Sequence, residues 1–444
     1  MTEPRTAAVS KRVLDEYAAV RESLPAGVVS PERRQEAIHA LAAGGLPTTR
    51  EENWRYTNLR PLERARLAPV PAPAAAPEPP ASLQGFARYT FVDGAFALEL
   101  SSPEEQVALT VRTLRHATQV SGSRTVLPLP RALPALSSLP EARLALLNEA
   151  FATDTAAIHV SNAAGEPARV ELVFIALGGA DTGTSYPRIQ VSLDPASRLI
   201  LVERHVSDAG GASFVNSSVN VDIGRGAHLT HYRLQQAGAR ATWLDTLSAV
   251  LAADARYRLL AVNTGALSAR STTHVRMAGP GAELALSVAA LGDRQQVQDH
   301  FALVEHIAPC TRTEQTFRGI ASGRARVAFN GKIAVREAAA GTDSRQSLRG
   351  LLAGPEAEID VRPQLEIYTD DVRCSHGATA GKLDDDMLFY LLSRGLSPEV
   401  AQRLLKWAFL EDVVSKIEIP DLRRHIEHEL AGQMADAASL KELL

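Results

Sequence analysis

Cys374-Ser375-His376 is the only close Cys/His pair in the 444-residue sequence, and it follows a strand-like run in which Leu365, Ile367 and Tyr368 lead to Val372. Side chains on an extended segment alternate with period two, so Cys374 and His376 share a face. A thiolate and an imidazole are donors that iron and zinc accept. Two donors do not close a site, so a metal held here needs others, from elsewhere in the chain or from a partner. The competing reading is a histidine bonded within its own fold beside a small buried cysteine.

The other chemistry-bearing residues make weaker patterns. Cys310, in HIAPCTRTEQTFRGI, is the second of only two cysteines, and its spacing from His306 is not that of a metal-ligand motif. Two cysteines build no disulfide framework and cannot supply the four thiolates of a self-contained cluster site. The pairs His228/His231 and His425/His428 invite a metal reading. The second pair, at i, i+3 on an amphipathic helix, reads as solvent-facing. Gly377 to Leu383 mimics a phosphate loop, but it is one residue short between its glycines, and Leu383 stands where a magnesium-binding hydroxyl is needed. Asp384-Asp385-Asp386 reads instead as an N-cap with first-turn acids. ATP-driven work would therefore come from a partner.

Composition narrows the class. Hydrophobic residues make up 45% and charged residues 22%, ordinary values for a globular chain. The net charge of −4 implies neither a nucleic-acid nor an anionic-membrane partner. No run approaches the ~20 apolar residues of a membrane helix. The stretch MTEPRTAAVSKRVLDEY lacks the apolar core of a signal peptide, so a cytoplasmic location is expected.

The elements that must position these residues fall into three regions. Residues 1–155 read as mainly helical, with a Pro/Ala linker near 68–80. Ser30-Pro31 starts one helix, Gly44-Gly45 stops it, Asp93-Gly94 marks a hairpin turn, and a second helical segment spans about Glu141 to Phe151. Residues 156–383 hold many short runs rich in Val, Ile, Leu and Thr, among them RLILVERHV, HLTHYRLQ, YRLLAVN, ELALSVAAL and RVAFNGKIAV. Runs beginning near 226, 255 and 281 repeat every 26 to 29 residues, a period that implies stacked units. Periodicity alone leaves a solenoid and a two-sheet sandwich both open. Residues 384–444 return to helical spacing, with Val400, Leu404 and Ala408, and Ala401, Leu405 and Phe409, behind Ser397-Pro398, then Leu422, Ile426 and Leu430. These helices are expected to cap the open end of a solenoid.

CSHGATAGKLDDDMLFYLLSRGL (Cys374 to Leu396) resembles the signature of the SufB/SufD family of iron–sulfur cluster assembly scaffolds, in its SufD-branch form. GRARVAFNGKIAV with PQLEIYTDDV, LLNEAF (Leu146 to Phe151) and ENWRYTNLRPL (Glu52 to Leu62) resemble further family landmarks, in the same order along the chain. The resemblance implies a mainly β protein, with a right-handed parallel β-helix core between N-terminal and C-terminal helical regions. It implies a non-catalytic scaffold that pairs with SufB through the β-helix, around Val361 to Val372, and that when alone either homodimerises there or remains poorly soluble. His376 would lie at the assembly site facing a SufB cysteine, as candidate ligand of a transient iron–sulfur cluster shared with SufB. Cys374 would lie near the same interface, its ligand role left open. The C-terminal helical region would dock SufC, an ABC-type ATPase, with Phe389, Arg394, Leu404, Leu405 and Phe409 as candidate contacts. Reduced FAD would bind at the level of the complex, although this sequence carries no flavin fingerprint. The rivals are a SufB-like persulfide acceptor, which the CSHGAT form and the scarcity of cysteine disfavour, and a β-helix polysaccharide lyase or hydrolase, a class that is commonly secreted.

Overall fold

The computed structural model describes residues 3–57, 59–71, 77–106, 108–114, 140–161, 165–179, 181–208 and 210–434. The centre of the expected linker, residues 72–76, lies outside them. Helices α1 (Glu3–Val20), α2 (Pro31–Gly44) and α3 (Arg60–Arg64) lead the chain. Helix α2 begins as its sequence dictates, with Ser30 Oγ accepting from the Arg33 amide and Pro31 in the first turn. The short strands β1 (Ala87–Val92) and β2 (Ala95–Phe96) form a hairpin around Asp93-Gly94, both with positive φ, as the turn that matches strand twist requires. β3 (Leu109–Arg112) and α4 (Arg143–Phe151) follow.

Sixteen strands then alternate between two sheets. One sheet receives β5 (Ala168–Ala176), β7 (Arg198–Ser207), β9 (His228–Gln236), β11 (Arg256–Asn263), β13 (Glu283–Gly292), β15 (Arg312–Ala321), β17 (Thr342–Leu352) and β19 (Val372–Lys382). The other receives β4 (Ala156–Val160), β6 (Arg188–Leu193), β8 (Phe214–Ile223), β10 (Thr242–Leu251), β12 (Ser268–Met277), β14 (Val297–His306), β16 (Arg326–Val335) and β18 (Glu358–Ile367). Every solenoid strand pairs in parallel with the strand two along, so the chain is a parallel β-solenoid of about eight coils. The sandwich reading falls with that register. At the first coil β1 adds in parallel to β5 and carries β2 antiparallel, while β3 adds antiparallel to β4.

The period seen in the sequence is one full coil. Register partners along one sheet, from His228 through Arg256, Glu283, Arg312 and Asp343 to Arg373, step by 27 to 31 residues. One corner of the coil repeats a left-handed residue: Gly226, Asp254, Gly281, Cys310 and Gly341 all have φ between 55° and 75°. The amide of each donates to a carbonyl in the next coil, as from Asp254 to Pro280 and from Cys310 to Ala340. A Cβ at Gly281 would meet Asp254 Oδ1 at 2.5 Å, so a larger residue there would have to move that carboxylate as well as adopt positive φ.

Inward positions such as Leu229, Tyr257, Leu284, Val304 and Ile333 fill the lumen. The outer faces are covered by helices. Val13, Ile38, Leu41, Trp54 and Phe151 pack toward Phe214 and Leu244 on the sheet of the even-numbered strands. Helices α5 (Asp385–Ser393), α6 (Pro398–Val414) and α7 (Pro420–Gln433) complete the chain. Leu410, Val413, Leu422, Ile426 and Leu430, from α6 and α7, pack on Val202, Tyr232, Leu260 and Ile320. This corrects the expectation that these helices cap the solenoid. They bury outward alternate residues of the odd-numbered strands, and these apolar side chains supply the surface that the helices cover. The buried face of α6 shifts accordingly to Ala401, Arg403, Leu410, Val413 and Val414, leaving Ala408 exposed.

Candidate functional site

Among the described residues no helix lies across the last coil, which ends in two strands that have one backbone neighbour each, β18 and β19. Most residues of β19 are exposed and most of β18 are half-buried, in contrast to every earlier coil. The Glu358 and Tyr368 amides donate to Ala325 and Val335 of the neighbouring strand side. Even-numbered amides of β18 therefore point inward along the sheet, and odd-numbered ones point to the open edge. Pro363 is odd. Its missing N–H removes no bond to β16 and leaves a gap in the edge that a partner strand would meet.

Cys374 and His376 lie on β19, opposite Ser344 and Gln346 of β17. Following the register inward, His376 extends the lumen column Leu259, Leu286, Gln315 and Gln346, and Cys374 extends Tyr257, Leu284, Thr313 and Ser344. The structure thus puts both on the lumen side of the final strand, as the spacing implies. His376 is exposed, whereas Cys374 is half-buried against the lumen core. Burial, with Asp343 adding negative charge nearby, pushes the Cys374 thiol upward. A metal bound there would first have to displace its proton. Among the described residues no group of three or more His, Cys, Asp or Glu side chains is placed to hold a metal. The open end brings one thiol and one imidazole onto the same face of β19.

The remaining candidates separate. Cys310 is exposed, in the left-handed corner position. His306 is fully buried, its Nδ1 and Nε2 bonded to the Thr311 and Thr313 hydroxyls, and burial lowers its pKa to about 4. It is not a partner for Cys310. His231 faces the lumen and His228 the outer side, so they cannot share an ion. His425 is not solvent-facing as expected: its Nε2 lies 3.0 Å from Arg204 Nη2 and 3.3 Å from Gln236 Nε2, docking α7 on the sheet. The would-be phosphate loop, Gly377 to Lys382, is strand β19. The junction that follows carries Asp384, whose carboxylate caps Met387, with Asp385 and Asp386 in the first turn. Three acids at that helix start repel a pyrophosphate, and the solenoid corners hold turns, not helices. The described residues of this chain do not by themselves fit a flavin.

The docking candidates also divide. Phe389 on α5 is 73% exposed and stands with Met387 and Tyr390 in an apolar surface. Arg394 is exposed with its guanidinium 5.0 Å from the Tyr390 ring centre. Leu404 and Leu405 are half-buried, and Phe409 packs against the helix–sheet core.

One constellation escaped the sequence reading. Within the lumen Arg233 donates to Glu203 (2.9 and 2.7 Å) and to Asp245 (2.8 and 2.9 Å). His231 Nε2 donates to Glu203 at 3.0 Å while its Nδ1 accepts from Tyr257, and His205 lies 2.5 Å from the same carboxylate. Burial is outweighed by Arg233 and the two histidines, which hold the Glu203 carboxyl far below its ordinary range. The signal was present in VERHV and HYRLQ, where charges occupy inward alternate positions.

The family model for the SufBD core domain of SUF-system iron–sulfur cluster assembly matches residues 174–409, from the end of β5 into α6. That is more than half of the chain. The chain belongs to the SufBD family. It is 28% identical to the iron–sulfur cluster assembly protein SufD of Escherichia coli over 92% of this chain and 94% of that protein. It is 27% identical to a SufBD family protein of Synechocystis over 88% of each chain. A SufBD family protein of Mycobacterium leprae is 30% identical over 58% of this chain and 68% of its own. Iron–sulfur cluster assembly is therefore the process in which this SufBD protein works. No helix among the described residues is long and apolar enough to cross a membrane.

Proposed function

We propose that this chain is the SufD-type subunit of a cluster-assembly complex, a scaffold without catalytic residues of its own. Its uncovered last coil pairs with the matching coil of a SufB-type paralogue, and in the paralogue's absence with a second copy. The nascent iron–sulfur cluster is cargo at that seam. His376 offers it an imidazole, and the paralogue supplies the main thiolate. Cys374, protonated and half-buried, plays the smaller part. The exposed apolar surface of α5, with Phe389 and Arg394, receives an ABC-type ATPase of the SufC kind, which hydrolyses the ATP. Leu404, Leu405 and Phe409 support that surface from within.

The observation that carries this reading is the open coil, with both candidate donors on the lumen side of its final strand. A scaffold complete in itself would have covered those edges or supplied a third donor. Anaerobic reconstitution of the assembled complex tests it, counting iron and sulfide per complex. His376→Ala should lower cluster content while size and ATP hydrolysis stay at wild-type levels, and Cys374→Ala should lower it less. Wild-type cluster content in His376→Ala returns this histidine to a structural role.

A further inference from the structure

Residues 51–57, from the EENWRYT segment, cross the outer face of the even-numbered sheet and touch its last four strands. The Trp54 ring lies 4.4 Å from the Arg270 guanidinium of β12, and Arg270 in turn donates to Asp299 of β14 at 2.7 Å. Thr57 donates to that same Asp299. Asn53 Oδ1 accepts from Asn330 of β16 at 2.8 Å, and Glu52 pairs with Arg362 of β18. Tyr56 faces Asp360, also on β18. The far side of the segment is tied to the helical region: Glu51 pairs with Arg143, and Asn53 Nδ2 donates to Glu141 at 2.7 Å.

The contacts run from a buried anchor to an exposed end. Trp54 is 1% exposed, and Arg270 and Asp299 beneath it are equally covered. At the open strand the Glu52 side chain is 64% exposed and that of Arg362 34%. β18 has backbone bonds on one side only and a proline in its middle, so little but side-chain contact fixes its outer face. Strands with one neighbour open at low free-energy cost.

We propose that residues 51–57 are a strap that holds β18 in pairing-ready register, coupling the N-terminal helical region to the edge that a partner strand joins. This deepens the pairing role proposed above and rests on it. A partner strand that adds to β18 needs that strand ordered, so apparent affinity falls by the fraction of molecules in which it is not. Binding and strap closure then favour each other by the same factor.

Hydrogen exchange of the full chain decides the strap itself. An exposed ion pair is a small tie, so Glu52→Ala should raise exchange across Glu358–Ile367 roughly two- to fivefold, with β12 and β14 unchanged. Glu52→Ala with Asn53→Ala should raise it roughly tenfold. Glu52→Arg should act as Glu52→Ala does, and Glu52→Arg with Arg362→Glu should return exchange toward wild type. Unchanged exchange in β18 in the double alanine variant, or a charge swap without recovery, overturns the strap. Self-association of the same proteins, followed by sedimentation at graded concentration, should weaken in proportion to the loss of the fraction of molecules whose β18 is closed. A variant whose β18 exchanges as an unprotected strand, yet associates as the wild type does, overturns the coupling. A wild-type chain that pairs neither with itself nor with the paralogue sinks the pairing role instead, whatever exchange shows.

Discussion

Replacing Arg233 by Met removes the cation that two buried carboxylates share. Arg233 is 5% exposed, Glu203 is fully buried and Asp245 nearly so, so water cannot take its place. Four charge-assisted hydrogen bonds are lost together, and the two carboxylates then face each other across the lumen. Breaking a buried pair on one side costs about 3–5 kcal/mol, and Met recovers little of it because the deficit is uncompensated charge. Against a whole-domain stability of about 5–15 kcal/mol this is a large loss. The pH dependence carries the sign. In the wild type the Glu203 carboxyl sits below its unfolded value near 4.3, so its contribution is complete above that pH and fades only in stronger acid. Without Arg233, burial is the largest influence left on the Glu203 carboxyl and pushes it upward. The folded state then binds more protons, and the deficit shrinks as pH falls from 8 to 5. Urea unfolding followed by circular dichroism at both pH values reads it. Arg233→Met with Glu203→Gln and Asp245→Asn should regain most of the loss. A deficit below about 1 kcal/mol, or one equal at pH 5 and 8, refutes this account of the lumen.

Three further outcomes follow from the same coordinates. Pro363→Ala restores an amide on the open side of β18, so the chain should self-associate at lower concentration in sizing chromatography, and an unchanged profile would count against the edge assignment. Cys310→Gly relieves a left-handed non-glycine residue at a corner where other coils use glycine. It should stabilise the fold by about 0.5–1 kcal/mol and leave cluster content unaltered, and lost cluster content would make Cys310 a site residue. His306, buried and held to about 4, resists protonation in the folded chain, so stability should fall by about 3 kcal/mol as pH drops from 6.5 to 4. His306→Gln should flatten that slope, and a slope identical to wild type would place the acid sensitivity elsewhere.

How far these features were legible depends on whether their physics is local. The coil period was legible because each turn must repeat a residue tolerant of positive φ, and the repeat of Gly226, Asp254 and Gly281 is visible as text. The shared face of Cys374 and His376 was legible for a similar reason, since strand alternation needs no neighbour. The destination of the C-terminal helices was not. Their apolar spacing tells that a face is buried, but the choice between the open end and the flank is set by Val202, Tyr232, Leu260 and Ile320, which lie roughly 100 to 200 residues away in sequence and gather only on folding. The Arg233 cluster was hidden for the complementary reason: an inward charge in an alternating strand contradicts the local rule, and only its partners in neighbouring coils make it tolerable. The open coil joins both kinds of information. The period shows where the coils stop, while only the helices' docking on the flank leaves β18 and β19 uncovered. Among the described residues, helices α6 and α7 after the coils have their apolar faces engaged on the flank and are not free to lie across that end. In the proposed pairing, His376 and Cys374 lie where a strand of the partner joins.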